Sequence, residues 1–151
     1  MKIRDAEPKD AAQLDALLTK LIRDETQYDS NLNGECTVTD NYCTRIGLEG
    51  HKLLLVEENG EIAGYLYGFV YQIPNITLHP TAVLDALFVD EKYREKGFAS
   101  ALITEFQKFA AENRACRIEL KVVSDNKAAL ALYRKHNFTD AKKYMNKNLS
   151  E

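Results

Sequence analysis

The chain has 151 residues, which is room for one domain of ordinary size and a sizeable core. Hydrophobic residues make up 45% and charged residues 28%, which excludes an intrinsically disordered chain. The net charge of −3 argues against a general nucleic-acid-binding surface, and no apolar run approaches the roughly 18 residues of a membrane span.

The opening MKIRDAEPKD lacks the apolar stretch of a signal peptide. Cys36, Cys43 and Cys116 cannot all pair within one chain, and their spacing fits no zinc ribbon or CxxC site. The expectation is three reduced thiols in a cytoplasmic protein without a metal.

In chain order, Lys2 to Arg4 reads as a first strand. Pro8 suits the first turn of a helix, where its missing N–H costs nothing. Leu14, Leu17, Leu18, Leu21 and Ile22 then recur at helical spacing. Between Asp24 and Glu49 the pattern breaks down, with six acids and one base. A short helix is expected near Thr39 to Leu48, inside a connection that otherwise reads as solvated.

In KLLLVEENGEIAGYLYGFVY, two β-rich runs flank Asn59-Gly60, whose residue types supply the positive φ of a tight hairpin. Pro74 and Pro80 bracket a loop. AVLDALFV, Ala82 to Val89, reads as a strand buried on both faces apart from Asp85. Strict alternation puts Asp85, Leu87 and Val89 on one face. Gly97 opens an amphipathic helix carrying Leu102, Phe106, Phe109 and Ala110.

Arg117 to Val123 reads as another strand. Ser124 or Asp125 can cap a last helix through Tyr133. One or two closing strands are expected between Phe138 and Leu149. Hairpins join the early strands and only the later ones alternate with helices. The predicted fold class is therefore α+β, a mixed, mostly antiparallel central sheet flanked by helices.

The chemistry concentrates at YREKGFAS, Tyr93 to Ser100. A strand running into a glycine loop and a helix leaves N–H groups unpaired at the helix start, where the dipole favours an anion. No GK[ST] follows, so this is not a P-loop, and it is not GxGxxG. Taken alone, Gly97 could equally be an ordinary corner.

LFVDEKYREKGFASALI resembles the acetyl-CoA-binding motif of the GNAT acyltransferase superfamily, a strand leading into Arg/Gln-x-x-Gly-x-Gly/Ala and a helix. Arg94, Gly97 and Ala99 match it. VVSDNKAALALYRKHNF is similar to that family's second motif through Asn126, Ala129, Tyr133 and Phe138. The resemblance covers Val83 to Phe138 well and the rest loosely, and it implies a single GNAT-like domain over 1–151.

The resemblance further implies that Arg94, Glu95, Lys96, Gly97, Phe98, Ala99 and Ser100 form the pyrophosphate loop of acetyl-CoA, with Arg94 and Lys96 adding charge. It implies that Leu87, Phe88 and Val89 pair with the pantetheine arm between two splayed strands, and that a main-chain N–H there stabilises the oxyanion. Asn126 and Tyr133 lie seven residues apart, roughly 10 Å along one helix face. The resemblance implies that Asn126 contacts the cofactor and Tyr133 protonates the departing thiolate. Read without it, Tyr133 is a core residue packed with Leu130 and Phe138.

Asp85 is the candidate general base, because a primary amine near pKa 10.4 must lose a proton before attack. A water or bulk solvent is the competing account. Two positions depart from the family pattern. Asn137 stands where glycine is common, and Asn tolerates positive φ. Glu95 also stands at a usual glycine, with an acid set against a pyrophosphate. His51, His79 and His136 show no metal-ligand spacing.

The acidic stretch suggests a cationic acceptor held by Glu25, Tyr28 and Asp29, helped by Asp24 and Glu35, with Tyr65, Tyr67 and Tyr71 as further lining. The expected function is acetyl transfer from acetyl-CoA to a primary amine through a tetrahedral intermediate, with no nucleic-acid or membrane partner. Self-association into a homodimer stays open. The alternative is a non-catalytic acyl-CoA-binding sensor or interaction domain, and a third reading is a small α/β domain whose glycine loop is only a turn.

Overall fold

The computed structural model describes residues 1–149. Its order is β1 (Lys2–Asp5), a 3-10 turn at Pro8–Asp10, α1 (Ala11–Glu25), β2 (His51–Glu58), β3 (Glu61–Tyr71), β4 (Thr81–Val89), a 3-10 turn at Glu91–Tyr93, α2 (Phe98–Glu112), β5 (Ile118–Glu119) and α3 (Lys127–Lys135). The five strands form one sheet in the order β1-β2-β3-β4-β5, antiparallel except for the β4–β5 pair. The fold is thus α+β, with the mostly antiparallel sheet expected from the hairpin spacing.

Alternation along β2 and β3 builds a core on each face. Leu54, Val56, Leu66, Ala82 and Leu84 pack with Leu102, Ile103, Phe106 and Phe109 of α2. Leu53, Leu55, Tyr65, Tyr67, Ala86 and Phe88 pack with Leu14 and Leu17 of α1. The β2–β3 hairpin turns at Asn59 (φ 53°) and Gly60 (φ 78°), the positive pair that Asn-Gly predicts. Arg4 ties β1 to the turn before α1 through Asp10 at 2.7 and 3.0 Å, and to β2 through Glu57 at 2.8 Å. The hydrogen bond from Arg4 holds the Asp10 carboxyl well below the usual carboxylate range.

The strand β4 carries the feature on which the site depends. Tyr67 opposes Ala86 and Gly68 opposes Leu84, so Asp85 is an extra residue, a β-bulge. The bulge reverses the parity of the strand. Ala82 and Leu84 belong to the α2-side core, and so do Leu87 and Val89, whereas Ala86 and Phe88 belong to the α1 side. The expectation that Asp85 shares a face with Leu87 and Val89 is therefore wrong. Nor is Asp85 buried: it is exposed, beside the α1-side tyrosines.

Three other expectations are corrected. No helix forms between Thr39 and Leu48, where the chain runs as turns strapped to α1. The strand expected over Arg117–Val123 shortens to Ile118–Glu119, because β4 and β5 pair only at Ala82–Ile118 and Val83–Glu119. No strand forms from Thr139 to Leu149, which makes no backbone hydrogen bond with the rest of the described chain.

Gly68 sits where α2 comes closest to the sheet. A Cβ there would run into the fully buried ring of Phe106 and lie 2.5 Å from the Val83 carbonyl oxygen. Glycine is needed for space here, since the ring and the backbone oxygen cannot both retreat. Gly68→Ala should lower stability by about 2 kcal/mol or more through overpacking, read as a reduced midpoint in urea unfolding with unchanged slope. A midpoint equal to the wild type would show that the α2 contact is slack.

Candidate functional site

The strand β4 parts from β5 beyond Val83, two residues before the bulge. From Leu84 onward no strand pairs with its outer edge, and only the Val89 carbonyl is taken, by Arg94. At the end of β4 the chain makes a 3-10 turn capped by Asp90, which accepts a hydrogen bond from the Lys92 N–H, and then enters the glycine loop.

Gly97 is the N-cap of α2 with φ 80°, a left-handed conformation natural to glycine. It supplies no capping side chain. None of the backbone N–H groups from Glu95 to Ser100 has a hydrogen-bond partner among the described residues. That is a row of donors at the positive end of a helix running Phe98–Glu112.

The side chains of this loop are arranged differently from expectation. Arg94 Nε donates to the Val89 carbonyl at 2.9 Å, and its terminal nitrogen meets Asp24 at 2.8 Å. Arg94 therefore clamps the loop to β4 and to the end of α1. Lys96 reaches Glu58 at 3.3 Å. Both cations have carboxylate partners of their own, and the backbone is the free part of the loop. Glu95 has φ 63°, so it occupies the left-handed region that glycine adopts without strain, at the position expected to be commonly glycine. Ser100 Oγ lies 2.9 Å from His136 Nε2, a tie between the first turn of α2 and the end of α3 that the scattered histidines did not foretell. Burial lowers the pKa of His136, which favours the neutral ring in this contact.

The cap of α3 is Asn126, in place of the expected Ser124 or Asp125. Its Oδ1 accepts the Ala129 N–H at 3.1 Å. This leaves the Asn126 amide nitrogen free to donate. Tyr133, two turns further on, packs edge-to-face on Phe138 with ring centroids 5.7 Å apart. The Phe138 N–H donates to the Tyr133 carbonyl at 3.0 Å, and Asn137 takes φ 66° as its residue type allows.

Burial, then the nearby Glu25 carboxylate, push the Tyr133 phenol up to about 12, so it keeps its proton at neutral pH. Tyr133 packs against the α2-side core yet lies within electrostatic range of Glu25 at the end of α1.

On the α1 side of the sheet lies a packed aromatic cluster. The hydroxyls of Tyr42 and Tyr65 are 3.0 Å apart and buried. His51 Nδ1 lies 2.8 Å from the Tyr67 hydroxyl, and the Arg45 guanidinium sits over the Tyr42 and Tyr67 rings at 5.9 and 5.4 Å. Burial raises the pKa of Tyr42, Tyr65 and Tyr67, and the Asp85 charge raises all three further.

Glu25 also borders this region. Its pKa is raised by burial first, then by Asp24 and Asp29. Tyr28 is half-buried just beyond α1. Asp29 is exposed and occupied by the Asn31 N–H at 2.9 Å, and Tyr71 lies at the outer end of β3. Of the acidic stretch, Glu25 alone is shown close to both Tyr65 and Tyr133.

The residues that position Tyr42 and Arg45 were missed in the sequence. Asp15, Thr19 and Arg23 stand four residues apart along α1 and hold the following segment by its backbone. Asp15 accepts the N–H groups of Tyr42 and Asn41 at 3.1 and 3.2 Å, Thr19 accepts that of Val38 at 3.0 Å, and Arg23 donates to the Cys36 carbonyl at 2.9 Å. The available signal was a polar i, i+4, i+8 stripe beside an apolar one.

A separate surface groove of about 530 Å³ lies between α1 and the β2–β3 hairpin, but Arg4, Lys20 and Lys92 there are matched by Asp10, Glu57, Asp90 and Glu61, and none of the loop residues lines it. Among the described residues no cluster of three or more His, Cys, Asp or Glu could hold a metal ion, and no helix is long and apolar enough to cross a membrane.

Comparison with known proteins agrees with this architecture. An uncharacterised N-acetyltransferase of Bacillus subtilis (strain 168), YhfO, is 27% identical over 142 residues, which span 93% of this chain and 91% of that protein. The crystal structure of a mutant of the BH1408 protein from Bacillus halodurans superposes with a TM-score of 0.88 at 22% identity, covering 99% of this chain and all of that one. An aminoglycoside acetyltransferase from an uncultured soil metagenomic sample, meta-AAC0020 in complex with trehalose, superposes at 0.73 with 17% identity, over 99% of this chain and 95% of that one. The family model of the Acetyltransferase (GNAT) family matches residues 17–138, and the chain belongs to that family.

Proposed function

We propose that the protein transfers the acetyl group of acetyl-CoA to a primary amine on a cationic acceptor. The observation that carries this reading is the row of unpartnered N–H groups from Glu95 to Ser100, at the start of a helix that His136 at the end of α3 ties to the element bearing Asn126 and Tyr133. These donors and the α2 dipole suit a pyrophosphate. The edge of β4 beyond its pairing with β5, at Leu87, Phe88 and Val89, suits the amides of the pantetheine arm, although Arg94 already holds the Val89 carbonyl, and a main-chain N–H there stabilises the oxyanion as the amine attacks the thioester carbon. Asn126 donates its free amide to the arm.

As the carbon–sulfur bond breaks, Tyr133 hydrogen-bonds to the departing thiolate and supplies its proton. Asp85 takes a proton from the amine, directly or through a water. Glu25 attracts the cationic acceptor, a class that includes polyamines, aminoglycosides and lysine side chains, whereas Tyr65 and Tyr67, expected as pocket lining, are buried in the α1-side core and do not line its path. Tyr28 and Asp29 border the entrance. Three free cysteines fit a reducing compartment, the cytoplasm.

Tyr133→Phe should bind acetyl-CoA with unchanged thermal shift and lose roughly 10²- to 10⁴-fold in turnover, the usual contribution of a positioned acid. Full turnover in that variant would remove Tyr133 from the mechanism. A wild-type chain that acetylates no member of a broad amine panel would instead support a non-catalytic acyl-CoA sensor. A chain with no thermal shift at all would reduce the glycine loop to a turn.

Glu25→Gln should separate binding from stability. A carboxyl whose pKa is raised by folding destabilises the fold as pH rises through and above its unfolded value. The Gln variant should therefore melt higher than the wild type at pH 7 and lose that advantage near pH 4. For cationic amines its KM should rise roughly tenfold, the equivalent of about 1.4 kcal/mol. An unchanged KM would clear Glu25 of acceptor binding.

Glu95→Gly should tighten acetyl-CoA binding several-fold, because it removes an acid from the loop and a side chain from the left-handed region. Left-handed strain of about 1–2 kcal/mol is then traded against the entropy of glycine, so stability should stay within about 1 kcal/mol. Weaker binding on isothermal titration would show that the Glu95 side chain assists the site.

A further inference from the structure

One contact beside the glycine loop has no part in the transfer chemistry. Ser100 is the third residue of α2 and the last in the row of unpartnered backbone N–H groups. Its amide and its hydroxyl therefore border the same anion position at the helix start. The hydroxyl is held from outside the helix, by His136 Nε2 at 2.9 Å, at the C-cap of α3. Both residues are half-buried. The His136 ring makes no other hydrogen bond among the described residues, so no protein group on the Nδ1 side fixes its tautomer.

A serine hydroxyl has one proton to donate. When Nε2 lacks a proton, the hydroxyl donates to it and turns only lone pairs toward the helix start, where they repel an anion. When Nε2 carries a proton, it donates to Oγ, and the hydroxyl proton is free to point at the anion. That proton is present in one neutral tautomer and always in the imidazolium. Without an anion, burial opposes the imidazolium, and so do the charges around it. Lys135 adjoins it on α3, and Arg134, one residue further, is matched by Asp140. The first turn of α2, Phe98 to Ala101, has no charged side chain and presents the positive end of the helix dipole. An anion bound at that turn reverses the balance.

We infer that His136 is a positioning residue for the pyrophosphate of acyl-CoA, donating from Nε2 to Ser100 Oγ and so aiming the Ser100 hydroxyl proton at a phosphate oxygen. The inference rests on the cofactor reading given above and adds a proton linkage to it. Acyl-CoA binding selects the forms with a proton on Nε2, and the anion's charge favours the imidazolium among them. The His136 pKa is thus higher in the complex than in the free protein. Affinity therefore strengthens as pH falls from above the bound-state value toward the free-state value. The same contact joins the cofactor's phosphates to α3, the helix that bears Asn126 and Tyr133.

The test is the affinity of the full-length chain for CoA by isothermal titration between about pH 5.5 and pH 8, the range in which histidine titrates. Wild type and variants are measured side by side, so the titration of CoA's own phosphates is common to all and cancels. Ser100→Ala and His136→Leu should each weaken binding roughly tenfold at the acid end, the weight of one hydrogen bond to a charged group. The double variant should be no weaker than either, because His136 acts through the hydroxyl. His136→Gln, whose amide nitrogen can stand at the place of Nε2, should match the wild type at pH 8 and lack its gain in affinity on acidification. A wild type that does not bind CoA overturns the cofactor reading and this inference together. CoA binding that Ser100→Ala or His136→Leu leaves unchanged overturns this inference alone. So do effects that add in the double variant, and so does a pH profile shared by wild type and His136→Gln. Should His136→Leu fail to fold, Ser100→Ala and His136→Gln decide the matter by the same readings.

Discussion

The constraint from which the site follows is one extra residue in β4. The bulge at Asp85 places two consecutive side chains, Asp85 and Ala86, opposite Tyr67, and it exchanges the faces of everything after it. A bulge also increases local twist. Pairing with β5 ends at Val83, just before it, and from Leu84 onward no strand pairs with the outer edge of β4. The free edge of β4 and the exposure of Asp85 beside the buried tyrosines share this origin. An unbroken strand would have put Leu87 and Val89 on the α1 side with Asp85, and Ala86 and Phe88 on the α2 side with Leu84.

The rest of the molecule holds that edge in place from both faces. Phe106 presses α2 onto the sheet at Gly68, the residue adjoining the bulge on β3. Arg94 clamps the loop after β4 to Val89 and to Asp24 at the end of α1. Asp15, Thr19 and Arg23 fasten the Cys36–Tyr42 segment along α1 and deliver Tyr42 to Tyr65. The bonds to Asp15 and from Arg94 to Val89 are at least partly buried and directional, whereas those of Arg23 with Cys36 and of Arg94 with Asp24 are exposed. The site is thus framed by rigid elements, while its backbone donors remain unpaired.

Much of the fold was legible in the sequence because local signals and tertiary outcome agreed. Asn59-Gly60 gave its hairpin, the Leu14–Ile22 spacing gave α1, and Gly97 gave the corner before α2. The family motifs placed the glycine loop and Tyr133 on neighbouring elements. Where a local signal had competition it failed. Thr39–Leu48 reads locally as a short helix, yet its backbone N–H groups at Asn41 and Tyr42 are taken by Asp15 of α1. Arg94 and Lys96 read as free loop cations, yet acids distant in sequence, Asp24 and Glu58, claim them. Ser124 and Asp125 are good caps by type, and Asn126 takes the position because the helix begins at Lys127.

By itself, then, the sequence determined the strand and helix order, the turn at Asn59-Gly60, the glycine corner at the start of α2 and the family. Each depends on residues close along the chain, whose steric and periodic preferences act before any packing. Only the tertiary structure decided that Asp85 is a bulge residue, that Glu25 is the acid of its stretch near Tyr133, and that residues 139–149 form no strand. A bulge is defined by a register with another strand, and an electrostatic neighbour by a distance across the fold. Neither is encoded in any single stretch of residues.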